Sequence, residues 1–260
     1  MKLQTLGLSI TTALLLAACG GSGSDNNTPA DPQKPGNNTP TNPQKPGNNN
    51  VSGTYRGNVF VVPVGQMPAS LADASAIGSD DLAVLNVNGK QITLYYPNIR
   101  LGEMISVRNT WMDGQSYRIF IFSGYKYANS KFGYLNDGNN HYAFSQGAYT
   151  GNMPTSGVVS YSGRAALGRA AVGNTAVSNF TADFGQKTLT GRITPTVYSD
   201  VDFQPVNINA TINGNAFSTA DNATVRSTGH FYGDNAREVG GIFYDSGQSL
   251  VGSFGAIRSN

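Results

Sequence analysis

Between Thr155 and Asn260 the apolar residues of this chain recur at every second position, run after short run. Phe180, Ala182 and Phe184 oppose Thr181 and Asp183. Leu189, Gly191 and Ile193 oppose Thr190 and Arg192, and Val206, Ile208, Ala210 and Ile212 oppose Asn207, Asn209 and Thr211. A period of two places each set on one face of a strand, and no helix can satisfy it. Eight such runs can be marked, with turn signals at Gly185-Gln186, Asn213-Gly214 and Asp245-Ser246-Gly247. Large and small residues alternate within the apolar sets, as a narrow interior requires. Eight antiparallel strands close a barrel whose inside is filled by side chains or holds one small ligand. The phenylalanines on these strands favour the filled form. In the run from Ala223 to Tyr232 the same count puts Ala223, Val225, Ser227, Gly229 and Phe231 inside. His230 falls in the opposite set, with Arg226 and Tyr232, on the side expected to face solvent.

Residues 51–152 read as β-rich too. "TYRGNVFVV" is one strand, "LAVLNVN" pairs with "KQITLYY" through Asn88-Gly89, and "EMISVRNTW" pairs with "QSYRIFIFSGY" through Asp113-Gly114. The fold class is therefore all-β, an N-terminal β-rich part over 51–152 followed by a C-terminal eight-stranded barrel over 153–260. Residues 68–78, rich in small side chains, read as a loop or short helix and as a candidate binding loop.

Charge is sparse and balanced. Of 17 Lys/Arg and 15 Asp/Glu, three and two precede Val51, which leaves 14 against 13 from there on, with no basic run. Nothing here matches the electrostatic footprint of a nucleic-acid partner. Catalytic resources are few. The chain has two histidines and one cysteine, no G-x-S-x-G elbow, and only one adjacent acid pair, Asp80-Asp81, in a polar stretch. This composition points away from an enzyme and from a His-rich metal site. Binding is better supplied. Tyr125, Tyr127, Tyr134, Tyr142 and Tyr149 crowd 25 residues, and tyrosine offers large, semi-rigid contact area with a polar tip. His141 follows the flexible "NDGNN", begins the strand "HYAFSQG" and stands as a candidate haem ligand on a loop lip, since one imidazole suffices for iron. Tyr125, Tyr127, Tyr142 and His141 are the candidate ligand-binding residues. No motif demands a cofactor, and haem is the one considered.

The first fifty residues carry targeting information. Lys2 and the apolar stretch Leu6–Ala18 read as a signal peptide, too short for a membrane span. Small residues ahead of Cys19, the sole cysteine, read as a lipobox, with cleavage before Cys19 and acylation of its thiol. Anchoring would then be by lipid alone. Gly20 at the following position favours the outer membrane. Residues 19–50, with the repeated "PQKPGNN", read as a tether with almost nothing to bury.

The pieces "MPTSGVVSYSGRA", "FTADFGQKTLTGRI" and "GHFYGDNAREVGGIFYDSGQSLVGSFGAIR" resemble the eight-stranded barrel of the transferrin-binding protein B lobes. Factor H-binding protein and the hemophilins share this module. The most specific parts are Phe231-Tyr232-Gly233, Ala236-x-Glu238, Gly240-Gly241 and the Asp183-Phe184-Gly185 turn. Residues 51–152 resemble the "handle" domain that precedes the barrel in that family, chiefly in "KFGYL" and the run into "MPTSG". The resemblance implies a lipoprotein on the outer face of a Gram-negative outer membrane, delivered by a dedicated translocator. It implies a role in binding a host ligand, with iron or haem acquisition first: a haem, haemoglobin or transferrin-type source, passed to an outer-membrane receptor. Recruitment of a complement regulator such as factor H, or adhesion, is the alternative, because the barrel is common to all.

Overall fold

The computed structural model describes residues 51–100, 102–197 and 199–259. The segments expected to be a signal peptide, an acylated Cys19 and a tether lie outside the described residues. Eight strands make the N-terminal part: β1 (Tyr55–Pro63), β2 (Ala74–Ser79), β3 (Val84–Val87), β4 (Lys90–Thr93), β5 (Met104–Met112), β6 (Gln115–Ser123), β7 (Ser130–Asn136) and β8 (Asn140–Gly147). Eight more follow: β9 (Val158–Arg169), β10 (Val172–Asp183), β11 (Thr188–Pro195), β12 (Val206–Asn213), β13 (Ala216–Thr219), β14 (Val225–Tyr232), β15 (Glu238–Asp245) and β16 (Leu250–Arg258).

β9–β16 close into an antiparallel barrel, with β16 paired to both β15 and β9. The alternation read from sequence sets its interior. Phe180, Phe184, Leu189, Ile193, Ile208, Phe231 and Phe254 meet in one apolar core, so the barrel is filled. The ten-residue β11–β12 connection, 196–205, plugs one mouth by burying Val201 and Phe203 in that core.

The other part is a six-stranded sheet in the order β2-β1-β8-β7-β6-β5. β3 and β4 form a separate hairpin, turned at Asn88 (φ 50°) and Gly89 (φ 73°) as the Asn-Gly signal demands. Leu85, Val87 and Ile92 of that hairpin cover one face of the sheet at Val59, Phe120, Phe122, Leu135 and Phe144. The 68–78 stretch holds the short helix allowed by the sequence and, beyond it, a strand that was not expected. A 3-10 turn, Leu71–Asp73, is capped reciprocally by Ser70 and Asp73, and the rest is β2, an edge strand on β1. Its small residues suit the close pairing of an edge strand. Asp80 and Asp81 prove structural: Asp80 Oδ1 accepts from the Thr54 N–H at 3.1 Å and Asp81 Oδ1 from the Ala83 N–H at 2.8 Å.

The opposite face of the sheet packs on the outside of the barrel. Phe60, Val62, Ile121, Tyr134 and Ala143 join Ala166, Ile242, Tyr244 and Val251 in one core. The two layers approach closely where aromatic rings lie on glycines. A Cβ on Gly255 would fall 2.2 Å from the Phe132 ring, and one on Gly168 2.4 Å from the Tyr134 ring. In the reverse sense, a Cβ on Gly147 would fall 2.6 Å from the Tyr232 ring. Beside this seam the carboxylate of Glu238, buried at the start of β15, accepts three hydrogen bonds. They come from the Asn129 N–H (3.0 Å), Asn129 Nδ2 (2.9 Å) and Ser130 Oγ (2.6 Å). With no cation hydrogen-bonded to it, Glu238 is stabilised by these donors, which it holds in place across the two layers.

Two outcomes follow from this packing. Gly255→Ala is expected to cost about 1–3 kcal/mol by overpacking, whereas Gly151→Ala, which meets nothing within 4 Å, is expected to be neutral; urea denaturation distinguishes them. Glu238→Ala, which strands buried donors, is expected to lower stability by about 2–4 kcal/mol in the same assay.

Candidate functional site

The sequence-selected residues do not converge. His141 is 3% exposed and lies within β8, on the face turned to the barrel, not on a loop lip. Its Nδ1 is 2.5 Å from the Tyr134 hydroxyl and 3.4 Å from Asn136 Nδ2, while Nε2 is buried without a partner. Burial lowers its pKa, against the pull of Asp137. Iron could reach Nε2 only if sheet and barrel parted, so the exposed haem ligand expected at His141 is not what the fold provides. The "NDGNN" run is a tight turn, stapled by Asp137, and strand pairing begins at Asn140, which draws the next residue inside.

Tyr142 points to the other face of β8, into the core beneath the β3–β4 hairpin, and its hydroxyl donates to Asp137 Oδ2 at 2.8 Å. Tyr127 is buried edge-on against Phe132 at 4.8 Å. Tyr125 alone is open to solvent, 65% exposed, in the β6–β7 connection.

His230 also departs from expectation. It points out of the barrel, as counted, but is only partly open to water, because the N-terminal sheet packs on the β14–β15–β16–β9 wall and buries its Nδ1. Thr228 and Tyr232 on the same face are buried. The His230 ring stacks on Tyr149 at 4.1 Å, and the Arg56 guanidinium lies 4.8 Å from the same tyrosine ring. Burial, with a smaller contribution from Arg56, pushes the His230 pKa down to about 3. A histidine depressed in the folded state stays neutral while the unfolded one protonates. The native state therefore loses stability as pH falls below the unfolded value of about 6.5. His230→Phe is expected to flatten that acid loss between about pH 6.5 and 4, measured as the difference from wild type in urea midpoints across pH.

The exposed apolar groups are elsewhere, and they cluster. Antiparallel pairing brings the β5–β6 turn, the β7–β8 turn, the β9–β10 turn and the β11–β12 connection to one end of the molecule. Polar bonds tie these pieces together. Arg108 donates to Gly173 O at 2.9 Å and pairs with Asp200 Oδ2 at 2.6 Å. Asn136 Nδ2 donates to Ala170 O at 3.3 Å. Asp113 at the β5–β6 turn accepts from the Thr93 N–H (2.7 Å) and hydroxyl (3.2 Å), and the Thr110 and Tyr96 hydroxyls bond at 3.1 Å. The β11–β12 connection is pinned by reciprocal bonds between Gln204 and Gln248.

On this scaffold sit Trp111 (69% exposed), Tyr95 (58%), Val172 and Val197 (94%), four of the six large apolar residues exposed among the described residues. The remaining two, Tyr125 and Val158, are at the opposite end. Sequence reasoning passed over Trp111. Its signal was available: the chain's sole tryptophan, on a strand ending at Asp113-Gly114, where no core awaits it. An end bearing exposed Trp, Tyr and Val can exclude water from a partner.

The fold is thus a filled barrel with a sheet packed on its outside and exposed apolar side chains gathered at one end. Residues 153–258 match the model for the C-lobe and N-lobe beta barrels of Tf-binding protein B. An uncharacterized protein of Haemophilus influenzae is 31% identical over 223 residues, 78% of this chain and 75% of that one. Transferrin-binding protein B of Moraxella catarrhalis is 34% identical over 166 residues, 49% of this chain and 23% of its own. Among solved structures, transferrin-binding protein B of Haemophilus parasuis superposes with a TM-score of 0.53 at 22% identity, over 79% of this chain and 45% of that one. The Neisseria meningitidis serogroup B protein gives 0.54 at 19%, over 78% and 43%. This chain carries, over residues 153–258, a barrel of the transferrin-binding protein B-like family. It spans about half the length of those solved relatives.

Proposed function

We propose that this chain is a lipid-anchored outer-membrane protein, acylated at Cys19 and facing the cell exterior, that captures a host iron source by docking it on the Trp111 end. Residues 51–152 would serve as the handle domain and 153–260 as the barrel domain. The observation that carries the reading is the segregation of exposed apolar side chains to one end, on loops fixed by Arg108, Asp113 and Gln248. Such an end costs solubility unless a partner covers it, and Trp and Tyr are the residues that dominate protein interfaces. The names of the curated and solved relatives, transferrin-binding protein B, support a protein carrier of iron as that partner. Burial of His141 favours a protein over free haem. The chain would act by binding alone and pass its cargo to an outer-membrane receptor.

Because Trp111 is the only tryptophan, a fluorine label on it reports on the site directly. Iron-loaded serum transferrin or haemoglobin, stripped of its own signal by selective labelling of this chain with 5-fluorotryptophan and 19F detection, is expected to shift the Trp111 resonance. Trp111→Ala is expected to weaken binding by at least about 30-fold, the loss of a 2 kcal/mol anchor, in surface plasmon resonance. Factor H run in parallel tests complement recruitment. Binding of an iron carrier with unchanged affinity in Trp111→Ala would remove this end from the interface.

A further inference from the structure

The barrel wall that the N-terminal sheet leaves bare has its own chemistry. Across it the registers align Asn207 with Arg192, Arg192 with Asn179, and Asn179 with Ser162. The neighbouring row adds Thr190 and Thr181, paired to each other. These side chains line an open depression of about 720 Å³, within the size range of small-ligand sites, about 300–1,000 Å³. None of the six makes a hydrogen bond or ion pair through its side chain within the described residues. Arg192 is the one charged group lining it.

Such a surface excludes most partners. A globular surface normally carries roughly 25–35% charged residues of both signs, so a nearly neutral field of amides and hydroxyls is a departure. A phosphate-rich chain would need several cations, each neutralising a phosphate. A peptide or acyl chain would need an apolar anchor, and the outward-facing residues lining this depression, all Ser, Thr, Asn or Arg, offer none. What fits is a ligand dense in hydroxyls and uncharged along most of its length. Asn side chains each offer two donors and an acceptor, and Ser and Thr one donor with acceptor capacity. Strands about 4.8 Å apart repeat these groups at intervals matched to a ring-sized unit. A carboxylate on that ligand would meet the Arg192 fork, whose planar donors take carboxylates two at a time.

We propose that the β9–β12 wall is a binding site for a carboxylated oligosaccharide, held by Asn179, Asn207, Thr181 and Thr190 and oriented by Arg192. The site is separate from the Trp111 end and does not depend on the reading given to that end. The carboxylate can come from a terminal sialic acid or from a uronate within a chain.

The test is isothermal titration of the folded chain with 3′-sialyllactose, with hyaluronan tetrasaccharide and with lactose. At least one acidic sugar is expected to bind, lactose at least tenfold more weakly. Sialyllactose alone assigns a terminal acid, and the tetrasaccharide alone an internal uronate. Arg192→Ala is expected to lower affinity at least tenfold and Arg192→Lys less. Asn179→Ala is expected to weaken lactose and acidic sugar alike. These substitutions are outward-facing, so unchanged thermal melting should accompany them. Trp111→Ala is expected to leave sugar binding intact, which keeps the two sites' outcomes apart. No binding of either acidic sugar, equal binding of lactose, or affinity indifferent to Arg192→Ala overturns the proposal.

Discussion

The contact on which this architecture depends is a set of aromatic rings seated on bare backbone. Phe132 lies on Gly255, Tyr134 on Gly168, and Tyr232 on Gly147. A barrel exterior is normally polar, and a sheet face cannot approach it closely through side chains of ordinary length. Removing the side chain from one partner lets a ring reach the other layer's backbone and bury most of its area there. Glu238 then fixes the register of the two layers, because a carboxylate with three donors tolerates little displacement. Everything on the covered wall follows: the buried Thr228, the neutral His230, and an interior His141.

That covered wall leaves the molecule with three other surfaces of distinct character. One end gathers Trp111, Tyr95 and Val197 on loops cross-braced by polar groups. The Arg108–Asp200 pair is solvent-exposed and contributes little to stability, on the order of 0–1 kcal/mol. Its effect is positional, since it joins a strand of the sheet to a connection of the barrel. The uncovered wall is neutral and polar, and the opposite end carries only isolated apolar residues. Faces that differ this much can discriminate among partners by surface chemistry alone.

Much of this was written in the chain, at unequal depth. The barrel strands were legible almost residue by residue, because an inward set such as Val206, Ile208, Ala210 and Ile212 can only be one face of a strand. Turns at Asn88-Gly89 and Asp113-Gly114 were equally plain. The outward sets were another matter. Alternation says which side of a strand a residue takes, not what lies beyond it, so His230 was counted outward and still found beneath a sheet. The seam itself left a trace, glycines facing outward in β9 and β16, which signals backbone approach only once the approaching ring is known. His141 was misplaced for a similar reason: polar neighbours announced a loop, while pairing with Val62 and Asn136 decided its burial. Arg192 was placed on the outward face but not as an isolated charge, and Trp111 was passed over, since isolation of a charge and exposure of a large apolar side chain are properties of the assembled surface.

The position of β16 has a bearing on how the molecule comes into being. This strand closes the barrel against β9 and also presents Gly255 to Phe132. Both events wait on residues 250–258, synthesised after all the others in the fold. Until they emerge, β9 and β15 each lack a neighbour, and the N-terminal sheet, though complete in sequence, has no floor to settle on. Closure and docking are therefore coupled in time. One strand carries both the ladder that closes the barrel and the glycine that seats the second layer, so a change in β16 reaches both layers at once.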